Sequence, residues 1–229
     1  MKTIGLLGGM SWESTQTYYR LLNENVKTAL GGLHSAKVVL YSVDFAEIEA
    51  LQHQGNWDET ARILSAAAQA VESAGAEVLL IGTNTMHKVA PQIEAAISIP
   101  LLHIADATAQ VLLDAGIDRI GLLGTRFTME QAFYRERLEA KGIEVLTPKA
   151  TQRDRIHQII YEELCQGVIS ERSRAEYLAV VDDLAAHGAQ GVILGCTEIG
   201  LLIQQAHTPV PLYDTTRIHA GQAVAYALG

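Results

Sequence analysis

Short apolar runs punctuate the chain, separated by longer stretches whose apolar residues recur at helical spacing. Seven runs stand out, at residues 4–7, 38–43, 78–81, 100–104, 119–123, 192–194 and 210–213. They show little polar alternation, which predicts strands covered on both faces. Between two of them, residues 58–73 carry Ile63, Leu64, Ala67, Ala70 and Val71 on one helical face, and Gly75 supplies a C-terminal stop. A second helix is predicted over 129–140, with Thr128 and Gln131 spaced as a capping box. Alternating strands and helices of these lengths predict parallel sheets with right-handed crossovers.

The pattern repeats. IGLLGG at 4–9 returns as IGLLGT at 120–125, GAEVLLIGT at 75–83 as GAQGVILGC at 188–196, and IPLL at 99–102 as VPLY at 210–213. Three blocks in one order, at offsets of 116, 113 and 111 residues, predict two related halves. The expected fold is therefore α/β, with two pseudo-symmetric α/β/α lobes built on parallel sheets. The first would comprise residues 1–97 plus 209–229 and the second 98–208, with an active site in the cleft between them.

Composition narrows the function. The chain has 229 residues, 48% of them hydrophobic, so it can bury a core without disulfides or structural metal. It has 26 acidic and 17 basic residues, a formal charge of −9, which argues against nucleic acid as a partner. No apolar run is long enough to span a membrane, and the N-terminal run is too short for a signal peptide's core. A cytoplasmic location is expected. The two cysteines, Cys165 and Cys196, are too few for a thiolate zinc site, and the eight histidines show no metal-ligand spacing, so no metal is expected. GxGxxG, GxxxxGK[ST] and HExxH are all absent.

Candidate chemistry lies where the strands end. Gly8-Gly9-Met10-Ser11, Gly82-Thr83-Asn84-Thr85, Gly124-Thr125 and Gly195-Cys196-Thr197-Glu198 each place a small polar residue after glycine. Ligands of open parallel sheets bind beyond these carboxyl ends, where helix N-termini offer N–H groups to a carboxylate. Tight turns alone would explain one such site; four of them, one carrying a cysteine, favour a binding site. Cys196 follows a strand and opens a predicted helix, a position that lowers a thiol's pKa and favours a reactive thiolate over a structural cysteine. Cys165, in IIYEELCQG, reads as core packing on an amphipathic helix that ends at Gly167.

GLLGGMSWEST (5–15), YSVDFAEIE (41–49), TNTMH (83–87), LLGT (122–125) and GCTEIGLL (195–202) resemble the aspartate/glutamate racemase superfamily over essentially the whole chain. The GGMSWEST start resembles its amino-acid racemase branch. The resemblance implies cofactor-independent racemisation of an amino acid, acidic amino acids first, by a homodimer. In that family two cysteines flank the substrate's α-carbon. The repeat aligns those positions with Thr83 and Cys196, so the first cysteine is replaced by a threonine. Cys196 is then the main base and Thr83 the opposite-face donor or relay.

The resemblance also implies substrate contacts at Asn84, Thr85 and Thr197. Met10 and Ser11 would close the site from one lobe, and Thr125 and Thr128 from the other. Gln52 would reach the side-chain end. Gln166 stands where the family often has a lysine, which argues against strict specificity for an acidic side chain. Glu198 is either a helix-N-terminal residue that favours the dipole or a site residue that polarises a neighbour. Two other functions compete: a single-cysteine decarboxylase of the same superfamily, and an amino-acid-binding protein without chemistry.

Overall fold

A computed structural model describes residues 1–229. Two compact units divide the chain, residues 1–104 with 216–229 and residues 105–215. Each holds one all-parallel sheet. The first sheet contains β1 (Ile4–Gly8), β2 (Val38–Ser42) and β3 (Val78–Ile81) in the order β2-β1-β3. The second contains β4 (Arg119–Gly124), β5 (Glu144–Leu146), β6 (Val192–Gly195) and β7 (Leu212–Asp214) in the order β5-β4-β6-β7.

In the first sheet β1 and β3 are buried at every position and covered on both faces, while edge strand β2 is exposed over its last three residues. Leu7, Leu79 and Ile81 pack with residues of α2 (Phe45–Gln54), α3 (Trp57–Ser73) and α4 (Ala90–Ala96). The residues of opposite parity, Ile4, Leu6, Val78 and Leu80, pack with α1 (Trp12–Leu30) and α11 (Thr215–Leu228). In the second sheet Leu123, Val192 and Leu194 join a core supplied by α8 (Ala150–Glu162), α9 (Glu171–Ala186) and α10 (Ile199–Leu202). Ile120, Leu122 and Ile193, of opposite parity, are also fully buried. The remaining helices of this unit are α5 (Ile104–Asp114), α6 (Arg126–Glu130) and α7 (Ala132–Glu139). No helix is long and apolar enough to cross a membrane.

The repeated IGLLG has a packing reason. A Cβ on Gly5 would collide with the Val71 side chain of α3, and one on Gly121 would lie 2.9 Å from Leu184 Cδ1 of α9. In both units the residue that follows the isoleucine of this strand must lack a side chain so that a helix can approach.

Several sequence expectations need correction. The boundaries fall at 104/105 and 215/216 rather than 97/98 and 208/209. Leu101 makes a parallel bridge with Leu79, and β7 pairs with β6, so IPLL stays with the first sheet and VPLY with the second. The run at 100–104 forms only that bridge, because Pro100 offers a carbonyl but no N–H and Ile104 already begins α5. β5 escapes the pattern because it is a three-residue edge strand that opens on exposed Glu144. The helix expected over 129–140 is two helices. Thr125, not Thr128, caps the first, its Oγ1 accepting from Thr128 N, and Gln131 separates the two in an extended conformation. Cys165 lies in a 3-10 turn, Leu164–Gln166, beyond the end of α8.

Gly5→Ala and Gly121→Ala are expected to lower unfolding free energy by about 1–3 kcal/mol each through overpacking. Urea unfolding would measure it; unchanged midpoints would contradict the close-approach account.

Candidate functional site

In the first unit β1 and β3 are neighbours, so their carboxyl ends lie side by side. Gly9, at φ +94°, turns the chain after β1 where a Cβ would strike the backbone of Val43. Ser11 then caps α1, its Oγ accepting from Ser14 N at 3.3 Å. Thr15 Oγ1 accepts from Gly9 N at 2.7 Å and donates to Ser11 O at 2.8 Å. Ser14 Oγ donates to the Gly82 carbonyl at 3.3 Å, joining the turn after β1 to the turn after β3. Met10, Ser11, Asn84 and Thr85 are all buried, while Thr83 keeps partial exposure. Gln52 is buried at 2% exposure on α2, unusual for a long amide.

In the second unit Gly124 and Gly195 are paired across β4 and β6. A Cβ on Gly195 would lie 2.7 Å from Leu123 O and 3.4 Å from Thr128 Cγ2, so Thr128 packs directly over this strand end. Thr125 Oγ1 and Thr128 Oγ1 are 3.3 Å apart. Thr125, Thr128, Cys196, Thr197 and Glu198 are brought together on the adjacent ends of β4 and β6 and are all buried. Gln166 is exposed in its 3-10 turn.

Glu198 organises the cysteine end. Its Oε2 accepts from Cys196 Sγ and from Thr197 Oγ1, each at 2.9 Å. Burial pushes the Cys196 thiol well above its ordinary range, and the Glu198 carboxylate adds to the shift. Cys165 packs against the same core and opposes a Cys196 thiolate further. This corrects the sequence expectation of a lowered pKa. α10 is only four residues long and begins beyond Glu198, too short and too distant a dipole to outweigh burial and an adjacent anion. Of the two sequence readings of Glu198, these contacts favour the residue that acts on a neighbour.

Sequence reasoning gave no role to three buried histidines behind Thr83. His87, His103 and His219 are 1%, 5% and 0% exposed. His87 Nδ1 lies 2.8 Å from Thr83 O, and the Ile104 N–H donates to His87 Nε2 at 3.2 Å. His219 Nε2 lies 2.8 Å from Leu102 O, and Tyr18 Oη lies 2.9 Å from His219 Nδ1. The available signal was spacing: His87 stands four residues after Thr83 within TNTMH.

The chain is similar to known proteins along nearly its whole length. The family profile described as Asp/Glu/Hydantoin racemase matches residues 7–223. A candidate Asp/Glu racemase of known structure from Yersinia pestis is 60% identical over the whole of both chains, with a TM-score of 0.93. An aspartate racemase homologue, PH1733 from Pyrococcus horikoshii OT3, is 34% identical over the whole of both chains, with a TM-score of 0.87. The broad specificity amino-acid racemase RacX of Bacillus subtilis is 23% identical over 97% of this chain and 96% of its own.

Burial lowers the His219 pKa from 6.5 to about 4. The unfolded chain therefore binds a proton between those values that the native chain does not. Stability is full above pH 6.5 and falls as pH drops toward 4, by up to about 3 kcal/mol. Denaturant unfolding across that window should show the loss, and His219→Gln should flatten it. A slope unchanged in the variant would contradict the assignment.

Proposed function

The chain belongs to the Asp/Glu/hydantoin racemase family, and on that premise we propose that it racemises an amino acid without a cofactor, with Cys196 as base and Thr83 as opposite-face proton donor. The carrying observation is the Cys196–Glu198 contact, which gives the thiol proton a carboxylate to go to. Passing that proton to Glu198 Oε2 leaves a thiolate. The thiolate takes the α-proton, forming S–H as the Cα–H bond breaks, and the electron pair delocalises onto the substrate carboxylate. Thr83 Oγ1 delivers a proton to the opposite face and its oxygen is reprotonated from solvent, while Glu198 releases the former thiol proton to solvent and returns to the carboxylate that accepts from the Cys196 thiol. A hydroxyl is a much weaker acid than a thiol, so inversion is slow. Because enantiomers have equal energy, kcat/KM is equal in both directions, and Thr83 slows both alike.

Small polar groups support amino-acid binding. Asn84, Thr85, Thr125, Thr128 and Thr197 are buried beyond strand ends, and Met10 and Ser11 are buried beyond the end of β1. Aspartate and glutamate are the first candidate substrates. Exposed Gln166, a neutral amide, favours tolerance of other side chains. A second reading draws on the resting protonation of Cys196: a thiol held protonated suits one-face protonation of a carbanion left by decarboxylation.

A homodimer is also proposed. Trp12 and Tyr19, 65% and 54% exposed, share one face of α1, and Leu40 of edge strand β2 is 45% exposed. Exposed large apolar side chains on α1 and on a sheet edge are surface that a second copy of the chain would cover. Light scattering is expected to give twice the protomer mass, reduced to one protomer by Trp12→Arg; a monomeric native chain would overturn the assignment.

Proton NMR in D2O with L- and D-amino acids tests the activity. Loss of the α-proton with inversion is expected, and Cys196→Ala should abolish it. Thr83→Val should lose inversion yet retain exchange from the enantiomer whose proton faces Cys196. Exchange at the normal rate in Cys196→Ala would sink the reading. CO2 released from a substituted malonate, without α-proton exchange, would favour the decarboxylase.

A further inference from the structure

We propose that His87 is a positioning residue that holds the Thr83 turn in register through the Thr83 backbone carbonyl, an inference that rests on the catalytic role given to Thr83. A carbonyl oxygen only accepts, so the 2.8 Å contact places a proton on His87 Nδ1. The Ile104 N–H, 3.2 Å from Nε2, only donates, so Nε2 carries a lone pair. The two contacts are compatible in one state only, the neutral Nδ1–H tautomer. The same turn is stitched a second time, His87 N donating to Asn84 O at 3.2 Å. Residues 83–87 are thus closed into a loop whose ring reaches back under the strand end and forward to the start of α5.

The surroundings keep that tautomer. Two further imidazoles face the ring, His103 with centroids 4.4 Å apart and His219 with centroids 5.8 Å apart. His219 is held neutral by burial, donating from Nε2 to Leu102 O and accepting from Tyr18 Oη at Nδ1. Two neutral imidazoles therefore grip the chain at 102 and 104. The neighbouring charge, Lys88, is directed to the Trp57 ring, 3.9 Å from its centroid. Thr83 itself has no helix at its back. It is followed by a 3-10 turn, Thr85–Val89, whose hydrogen-bond geometry is looser than an α-helix. The imidazole supplies the rigidity that a full helix would otherwise give.

Two variants separate the two halves of the tie. In His87→Asn the amide nitrogen occupies the Nδ1 place and still donates to Thr83 O. In His87→Gln the amide reaches the Nε2 place, and its carbonyl still accepts from Ile104 N–H. Inversion and retention of α-deuterium are followed by NMR with L- and D-aspartate and L- and D-glutamate, alongside thermal unfolding. Inversion is expected to stay near the native rate in the Asn variant and to fall by about tenfold to a hundredfold in the Gln variant. Exchange with retention at the Cys196 face should be unchanged in both. Inversion losses that track stability alike in both variants would overturn the inference. Nitrogen-15 NMR of the unmutated protein tests it without substitution: a neutral His87 carrying its proton on Nε2 would overturn it. Native inversion in Thr83→Val would instead defeat the catalytic role of Thr83 and leave His87 nothing to position.

Discussion

A carboxylate buried in a protein core must be satisfied, and Glu198 is satisfied by the thiol and the hydroxyl that precede it. At 3% exposure, solvent does little for it. The polar end of the second unit follows from this constraint. Cys196 and Thr197 turn inward to donate, and α10 can begin only after the carboxylate. The adjacent Gly195 lets Thr128 close over the strand end. The same constraint sets the thiol's state, because a proton shared with an anion in a dry place is hard to remove. Cys196, the base of the proposed reaction, is poised rather than ionised. In the proposed reaction it becomes a thiolate by local proton transfer to Glu198, so the one buried anion of the resting protein is the carboxylate rather than the thiolate.

The first unit solves a different problem with the same sheet pattern. Its strand end carries Thr83 in place of a thiol and no carboxylate beside it in sequence. Rigidity there comes from imidazoles, with the Thr83 carbonyl tied to His87 and the nearby Leu102 carbonyl tied to His219. The two halves of the repeat have diverged in how they hold a polar residue at a strand end. They have kept the glycine that lets a helix press on the central strand.

The repeat made the fold legible. Gly5 and Gly121, the apolar runs of β3 and β6, and the alternation of runs with helical stretches carry the two parallel sheets in their spacing. The unit boundaries were not legible. IPLL and VPLY look alike, and only backbone pairing, Leu101 with Leu79 and β7 with β6, shows to which sheet each belongs. Within each unit, grouping by strand end was readable for Met10, Ser11, Thr83, Asn84 and Thr85, and for Thr125, Cys196, Thr197 and Glu198. The thiol's state was not, because it depends on the direction of one Glu198 oxygen and on burial rather than on spacing. His103 and His219 were invisible for a similar reason: 116 residues separate them in the chain, and only the fold gathers them around His87.

The most direct test of the central claim is a thiolate absorbance titration of the Cys165→Ser protein, in which Cys196 is the one remaining thiol. The account predicts that Cys196 stays protonated beyond the usual thiol range of about 8–9, and that Glu198→Gln moves its ionisation to lower pH. A thiolate already formed at neutral pH, or a titration indifferent to Glu198, would contradict it.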